Sequence, residues 1–131
     1  AEMLDAVTDD VEQDTQRLQQ RSLTLQEVID SDKQKLAKIQ FDMAQQKLDA
    51  ATAKKQLEGI DADIAHMRNE IDNIDGRIAA YRETAASVET AKERKALDVQ
   101  IEKLRAEATK LHSAMGSLTA QRDSLDWGKQ A

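Results

Sequence analysis

The stretch Leu57-Glu-Gly-Ile60-Asp-Ala-Asp-Ile64-Ala-His-Met67-Arg-Asn-Glu-Ile71-Asp-Asn-Ile74-Asp-Gly-Arg-Ile78 places an apolar residue alternately three and four positions apart. Followed outward over residues 29 to 88, the first core positions of this repeat are Ile29, Leu36, Met43, Ala50, Leu57, Ile64, Ile71, Ile78 and Ala85, all apolar. The second are Asp32, Ile39, Gln46, Ala53, Ile60, Met67, Ile74, Tyr81 and Val88, of which only Asp32 and Gln46 are polar. With 40% of the chain hydrophobic, eighteen positions would hold about seven apolar residues by chance, and sixteen are found. A straight helix of 3.6 residues per turn drifts away from a repeat of seven, so the stripe stays on one side only if the helix supercoils against another helix. The sequence therefore predicts an all-α fold, a long coiled-coil helix that requires a partner.

Upstream, Leu4, Val7, Val11, Leu18, Leu25 and Val28 continue the spacing with Asp14 and Arg21 in the second core position, a weaker seam. Passing from Leu25 to Ile29 advances that frame by four residues, a stutter expected to unwind the supercoil locally while the helix continues. The alternative is a separate helix ending near Asp30, with Ser31 and Gln34 as a capping box.

A larger discontinuity lies at 89–96. Beyond it a second stripe runs through Leu97, Ile101, Leu104, Ala108, Leu111, Met115, Leu118 and Leu125, with Arg122 out of character. The two stripes are offset by two residues, a rotation of about 200°. Either the helix runs straight through and changes neighbour, or it turns back and 97–126 packs antiparallel on roughly 57–88, with Thr90 and Glu93 capping the returning helix. The helix formers Ala91-Lys-Glu-Arg-Lys-Ala96, with neither glycine nor proline among them, favour the continuous helix. The organisation is then an acidic amino-terminal coiled coil (1–28), the main heptad segment (29–88), the break or turn (89–96), a second stripe (97–127) and a tail (128–131).

Flanking charges bear on strand orientation. In a parallel pair Asp42 would meet Lys47, Asp49 would meet Lys54 and Asp63 would meet Arg68, against repulsion of Glu70 by Asp75 and Arg77 by Arg82. Each exposed pair is worth only about 0 to 1 kcal/mol, so the preference for parallel strands is mild. Isoleucine at both core positions from Ile60 to Ile78 leans toward three strands, whereas Gln46, Ala50 and Ala53 suit two. A parallel homodimer is the expected state, with a trimer next. In periodicity and composition the chain resembles the rod segments of tropomyosin, myosin tails and intermediate filaments, and the alanine pair is tropomyosin-like.

Composition agrees. The 131 residues contain no cysteine, no proline, four glycines and three aromatics (Phe41, Tyr81, Trp127), while 34% are charged. That leaves neither the material for a broad core nor the usual loop punctuation. The net charge of −6 belongs to residues 1 to 30, where eight acids face Arg17 and Arg21. An acidic segment disfavours nucleic acid or an anionic membrane as partner, and no apolar run approaches the ~20 residues that span a bilayer. The chain opens on Ala1 without an initiator methionine, which suits a processed chain or a piece of a longer protein.

Signals for chemistry are few. His66 and His112 lack a second ligand at metal-binding spacing, and the four glycines stand singly, so neither a metal site nor a phosphate loop is expected. Asp61 with Asp63, and Asp72 with Asp75, sit on a rod without a cleft; no enzyme activity and no cofactor are expected. Two clusters could bind a partner protein: the basic zone of Lys92, Arg94 and Lys95 with Arg77 and Arg82, and the apolar residues off the seam, Leu23, Phe41, Val99 and Trp127. The expected function is structural: an oligomerising, spacing coiled coil within a cytoplasmic, cytoskeletal, centriolar or kinetochore-type scaffold. The rival is a helical hairpin or antiparallel bundle acting as a protein-binding adaptor or chaperone module.

Overall fold

The computed structural model describes residues 2–88 and 90–125 and folds them into three helices, α1 (Glu2–Ala44), α2 (Ala50–Ser87) and α3 (Ala91–Asp123). Cross-helix bonds fix their directions. Asp14 meets Arg77 and Arg21 meets Glu70, so α1 and α2 run antiparallel. Asp61 meets Arg122, Arg68 meets Thr119 and Asp75 meets His112, so α2 and α3 are also antiparallel. Ser22 meets Glu107 and the Lys33 carbonyl meets Gln121, which makes α1 and α3 parallel. The result is an up-down-up bundle whose longest helix, 43 residues, extends about 65 Å.

The single long rod is thereby corrected to a bundle, because the two stripes cover each other within one chain. Of the predicted seam, Ile29, Leu36, Ile39, Ala53, Leu57, Ile60, Ile64, Met67, Ile71, Ile74, Ile78, Ala85, Val88, Leu97, Ile101, Leu104, Leu111, Met115 and Leu118 are buried. Met43 and Tyr81 are partly buried against the same core. Ala50 is exposed, at the first residue of α2. The break after Ser87 lets the stripe restart in a new register, and α3 faces back onto α1 and α2.

The expected passage of one helix through 29–88 fails at 45–49. There α1 ends in a two-bond motif in which the Lys47 N–H donates to the Asp42 carbonyl (2.8 Å) and the Gln46 N–H to the Met43 carbonyl (2.9 Å). Gln46 takes the left-handed conformation, φ 59°, that this ending needs and that glycine adopts most readily. Restarting is easier to trace to sequence: the Asp49 carboxylate accepts from the Thr52 N–H at 2.7 Å, an N-cap. Leu48 before the cap and Ala53 after it occupy hydrophobic-staple positions, and both join the core. The heptad count survives the break, which is why a continuous helix fits the pattern equally well.

The second break falls between the end of α2 at Ser87 and the start of α3 at Ala91, instead of one helix running through. Val88 is extended (ψ 144°), and the Thr90 hydroxyl accepts from the Glu93 N–H at 3.2 Å, the cap expected for the returning helix. The Arg94 guanidinium reaches back to the carbonyls of Ala85 (3.2 Å) and Val88 (3.4 Å). The Ala85 carbonyl also accepts the Val88 N–H at 3.4 Å, and a cation at this carboxyl-terminal end suits the helix dipole.

Helix α1 runs unbroken past 25–29 as expected, and the capping box at Ser31 and Gln34 is not used. Its inward positions are Val11, Thr15, Leu18, Ser22, Leu25, Ile29, Asp32, Leu36, Ile39 and Met43, an uninterrupted alternation of four and three. The stutter disappears once Thr15 and Ser22, both buried, replace Asp14 and Arg21 as the partners of Val11, Leu18 and Leu25 in the alternation. Thr15 is satisfied by bonding back to the Val11 carbonyl at 2.7 Å.

Candidate functional site

Apolar packing dominates where α3 lies along α1 and α2, whereas α1 and α2 approach each other closely over less of their length. Several polar contacts join these two. At one end Asp14, only 9% exposed, receives the Arg77 guanidinium and the Tyr81 hydroxyl. Burial and the neighbouring carboxylate push the Tyr81 phenol up to about 12, so at neutral pH it remains the donor of this bond. A few turns along, Arg21 makes a two-pronged bond to Glu70, with Nε 2.8 Å from Oε2. That bond holds the Glu70 carboxyl below its usual range, and His66 Nε2 adds a contact at 3.0 Å. On the side toward α3, the Ser22 hydroxyl donates to Glu107 at 2.8 Å and accepts from Gln26 at 3.1 Å.

The third polar position is Asp32, fully buried, with the Lys35 ammonium 3.8 Å away and Asp63 facing it from α2. Neither carboxylate oxygen of Asp32 has a hydrogen-bond donor. Burial first, and then Asp63, pushes its carboxyl up to about 6. Beside this pair the α1–α2 seam opens into a groove of about 600 Å³, with Ile39 and Ile60 in its lining and Lys35, Lys38 and Asp63 among its polar groups. Gly59 also lines it, and a Cβ there would meet nothing within 4 Å. A second groove of about 530 Å³ lies between α2 and α3, lined among others by Arg68, Asp72, His112 and Gly116. The rod expected to lack any cleft therefore carries grooves along its helix seams, with Gly59 and Gly116 adding no side chain to fill them.

The sequence-derived binding clusters fare differently. The basic zone is dispersed: Arg77 is committed to Asp14 and Arg94 to the end of α2, which leaves Arg82, Lys92 and Lys95 as exposed cations. Phe41 is 59% exposed, and Leu23 and Val99 are likewise on the surface, as their off-seam positions imply. They lie apart and form no continuous patch: Phe41 near the end of α1, Leu23 mid-helix, Val99 near the start of α3. Trp127 lies outside the described residues. The flanking charges are spent differently from the expected parallel pairs: Asp49 caps α2, Asp63 faces Asp32, and Arg68 bonds Thr119 at 3.2 Å.

Asp61, expected to be one of a plain acidic pair, takes a two-pronged bond from Arg122, Nε to Oδ1 at 2.6 Å and Nη2 to Oδ2 at 2.9 Å. His112 Nε2 lies 2.7 Å from Asp75. Among the described residues no group of three or more His, Cys, Asp or Glu could hold a metal ion, and no helix is long and apolar enough to cross a membrane. Comparison with protein-family models, curated proteins and solved structures yields no match to the chain.

The buried polar positions of α1 were the part that sequence reasoning missed. In the sequence Asp14 and Asp32 read as polar interruptions of a seam, and Thr15 and Ser22 fall outside the expected core positions. The signal available is the spacing of Thr15, Ser22 and Asp32 in the frame of Ile29 and Leu36, which holds irrespective of residue type; Asp14 lies one residue off that frame.

Proposed function

We propose that the chain is a self-contained protein-binding module: a three-helix rod that holds its two ends apart and offers its outer faces to a protein partner. The observation that carries this reading is that the heptad positions from Val11 to Leu125 face one another inside the chain. A seam used in this way is not available to a second copy, so the structural role first expected, oligomerisation through that stripe, gives way to the adaptor-type reading. Among the described residues, Leu23, Phe41 and Val99 are the large apolar side chains left outside, suited to contact a partner at separate points. A cytoplasmic scaffold of the cytoskeletal, centriolar or kinetochore type is the setting we propose, on the strength of its rod-like helical composition. The role is one of binding and spacing, without catalysis.

Photo-cross-linking tests this directly. A benzophenone amino acid placed in turn at Leu23, Phe41 and Val99, with the full chain expressed in its native cells, should trap a defined protein from at least one position. The corresponding serine variant should lose that partner while keeping its melting temperature. Absence of any cross-linked protein above background from all three positions would overturn the reading.

A further inference from the structure

Asp32 occupies a core heptad position on α1, is 0% exposed, and has no donor for either carboxylate oxygen. An ionised carboxylate so placed carries a large desolvation penalty unless it is paired and hydrogen-bonded. The groups around it supply that pairing only in part. From α1 itself, Lys35 stands 3.8 Å away, beyond hydrogen-bonding distance, with its side chain 62% exposed. From α2 the neighbour is Asp63, a second carboxylate within bonding reach. At this level α3 brings Gln121, whose amide is bonded to the Lys33 carbonyl, and Arg122, whose guanidinium holds Asp61. Two carboxyl groups in contact can form a hydrogen bond only when one of them carries a proton, and with both ionised they repel.

We propose that Asp32 and Asp63 share one proton across the α1–α2 seam, and that releasing it to solvent loosens this seam and bares the apolar side of the adjoining groove. The position suits a switch. The α1–α2 contact is the sparsest in the bundle, and Ile39 and Ile60 line a groove already open beside Asp63. Contacts of α3 with both other helices hold the remainder together while the seam gives way. This device is independent of which partner the module binds.

The direction of the pH effect follows from the Asp32 carboxyl, whose value rises from 3.8 in the unfolded chain to about 6 in the bundle. The folded chain holds the proton more tightly. Its stabilising effect is fully present below 3.8 and is lost as the pH rises through about 6. Two units correspond to up to about a hundred-fold change in the ratio of folded to unfolded chain.

The test is melting temperature and native-state hydrogen exchange near pH 5 and pH 7.5, on the wild type and on Asp32→Asn, which keeps a donor and removes the charge. The wild type should melt lower at the higher pH. Amides of α1 and α2 flanking Asp32 and Asp63 should lose protection beyond the intrinsic change in exchange rate, whereas amides of α3 should not. Asp32→Asn should abolish most of this difference. Should Asp32→Asn fail to fold, Asp63→Asn provides the same reading, because the remaining carboxylate then gains an amide donor. Equal pH dependence in wild type and variant, or loss of protection spread evenly over the three helices, would overturn the proposal.

Discussion

Arg122 grips Asp61 with two parallel bonds of 2.6 and 2.9 Å, tying the last turns of α3 to the first turns of α2. In the α3 stripe Arg122 stands at a core position, and its side chain is 22% exposed while that of Asp61 is 47% exposed. Its apparent misfit is resolved by geometry: the stem lies along the bundle and the head turns out to a carboxylate. A double-mutant cycle with Arg122→Ala and Asp61→Ala, followed by urea unfolding, should give a coupling of about 0.5 to 1 kcal/mol, modest because the pair is partly in water. A coupling near zero would mean that the fork only decorates the surface.

The turn at 45–49 forces a glutamine into a glycine's conformation. Gln46→Gly relieves the steric cost of the left-handed region, about 1 to 2 kcal/mol, and gives back part of it as chain entropy. The net expectation is a gain of about 0.5 to 1 kcal/mol in unfolding free energy. Destabilisation by the same substitution would indicate that Gln46 is not in the left-handed region and that α1 and α2 join as one helix.

Arg21 and Glu70 supply a pH dependence of opposite sign to that of Asp32. The Arg21 bond holds the Glu70 carboxyl below its ordinary 4.5, so its stabilisation is present above 4.5 and is lost as the pH falls through the lowered value. Arg21→Gln should be less stable than the wild type near neutral pH, and the gap should close as the pH is taken well below 4.5. A gap that stays constant through acid would show that Arg21 acts by packing alone.

The heptad pattern of this chain is legible in its sequence, and nearly all of its apolar members face a core. The arrangement of that core within one chain was not. A repeat of seven states only that a helix face needs covering, and it is silent on whether the cover comes from the same chain or another. The break at 45–49 keeps the heptad count and uses Gln46 where glycine would have announced a stop, so periodicity passes straight over it. Asp49 followed by Thr52 was the remaining sign, and a lone cap is weak beside strong helix formers. The return at 88–90 was more visible, in the two-residue offset and in Thr90 and Glu93, but propensity alone argued for continuity. Propensity lost there because folding α3 back buries Leu97, Ile101, Leu104 and Leu111, a gain that no straight extension in water offers. The polar ladder on α1 was hidden for a different reason. Whether Asp14 or Asp32 is a flaw or a designed contact depends on Tyr81, Arg77 and Asp63, residues far along the sequence.

Ile71→Asp separates a bundle from an intermolecular coil. Ile71 is 2% exposed in the core, and a buried unpaired carboxylate there costs several kcal/mol, comparable with the whole stability of a small domain. Circular dichroism should therefore show loss of most helical signal. A variant that stays helical and only drops in mass would place Ile71 on a seam between copies.

The central claim is that the apolar stripe is covered within a single chain, and its most direct test is the mass in solution by light scattering over about a hundred-fold range of concentration. The bundle predicts 14.6 kDa throughout, with a melting temperature that does not move with concentration. A particle of twice or three times that mass, melting higher as concentration rises, would contradict it.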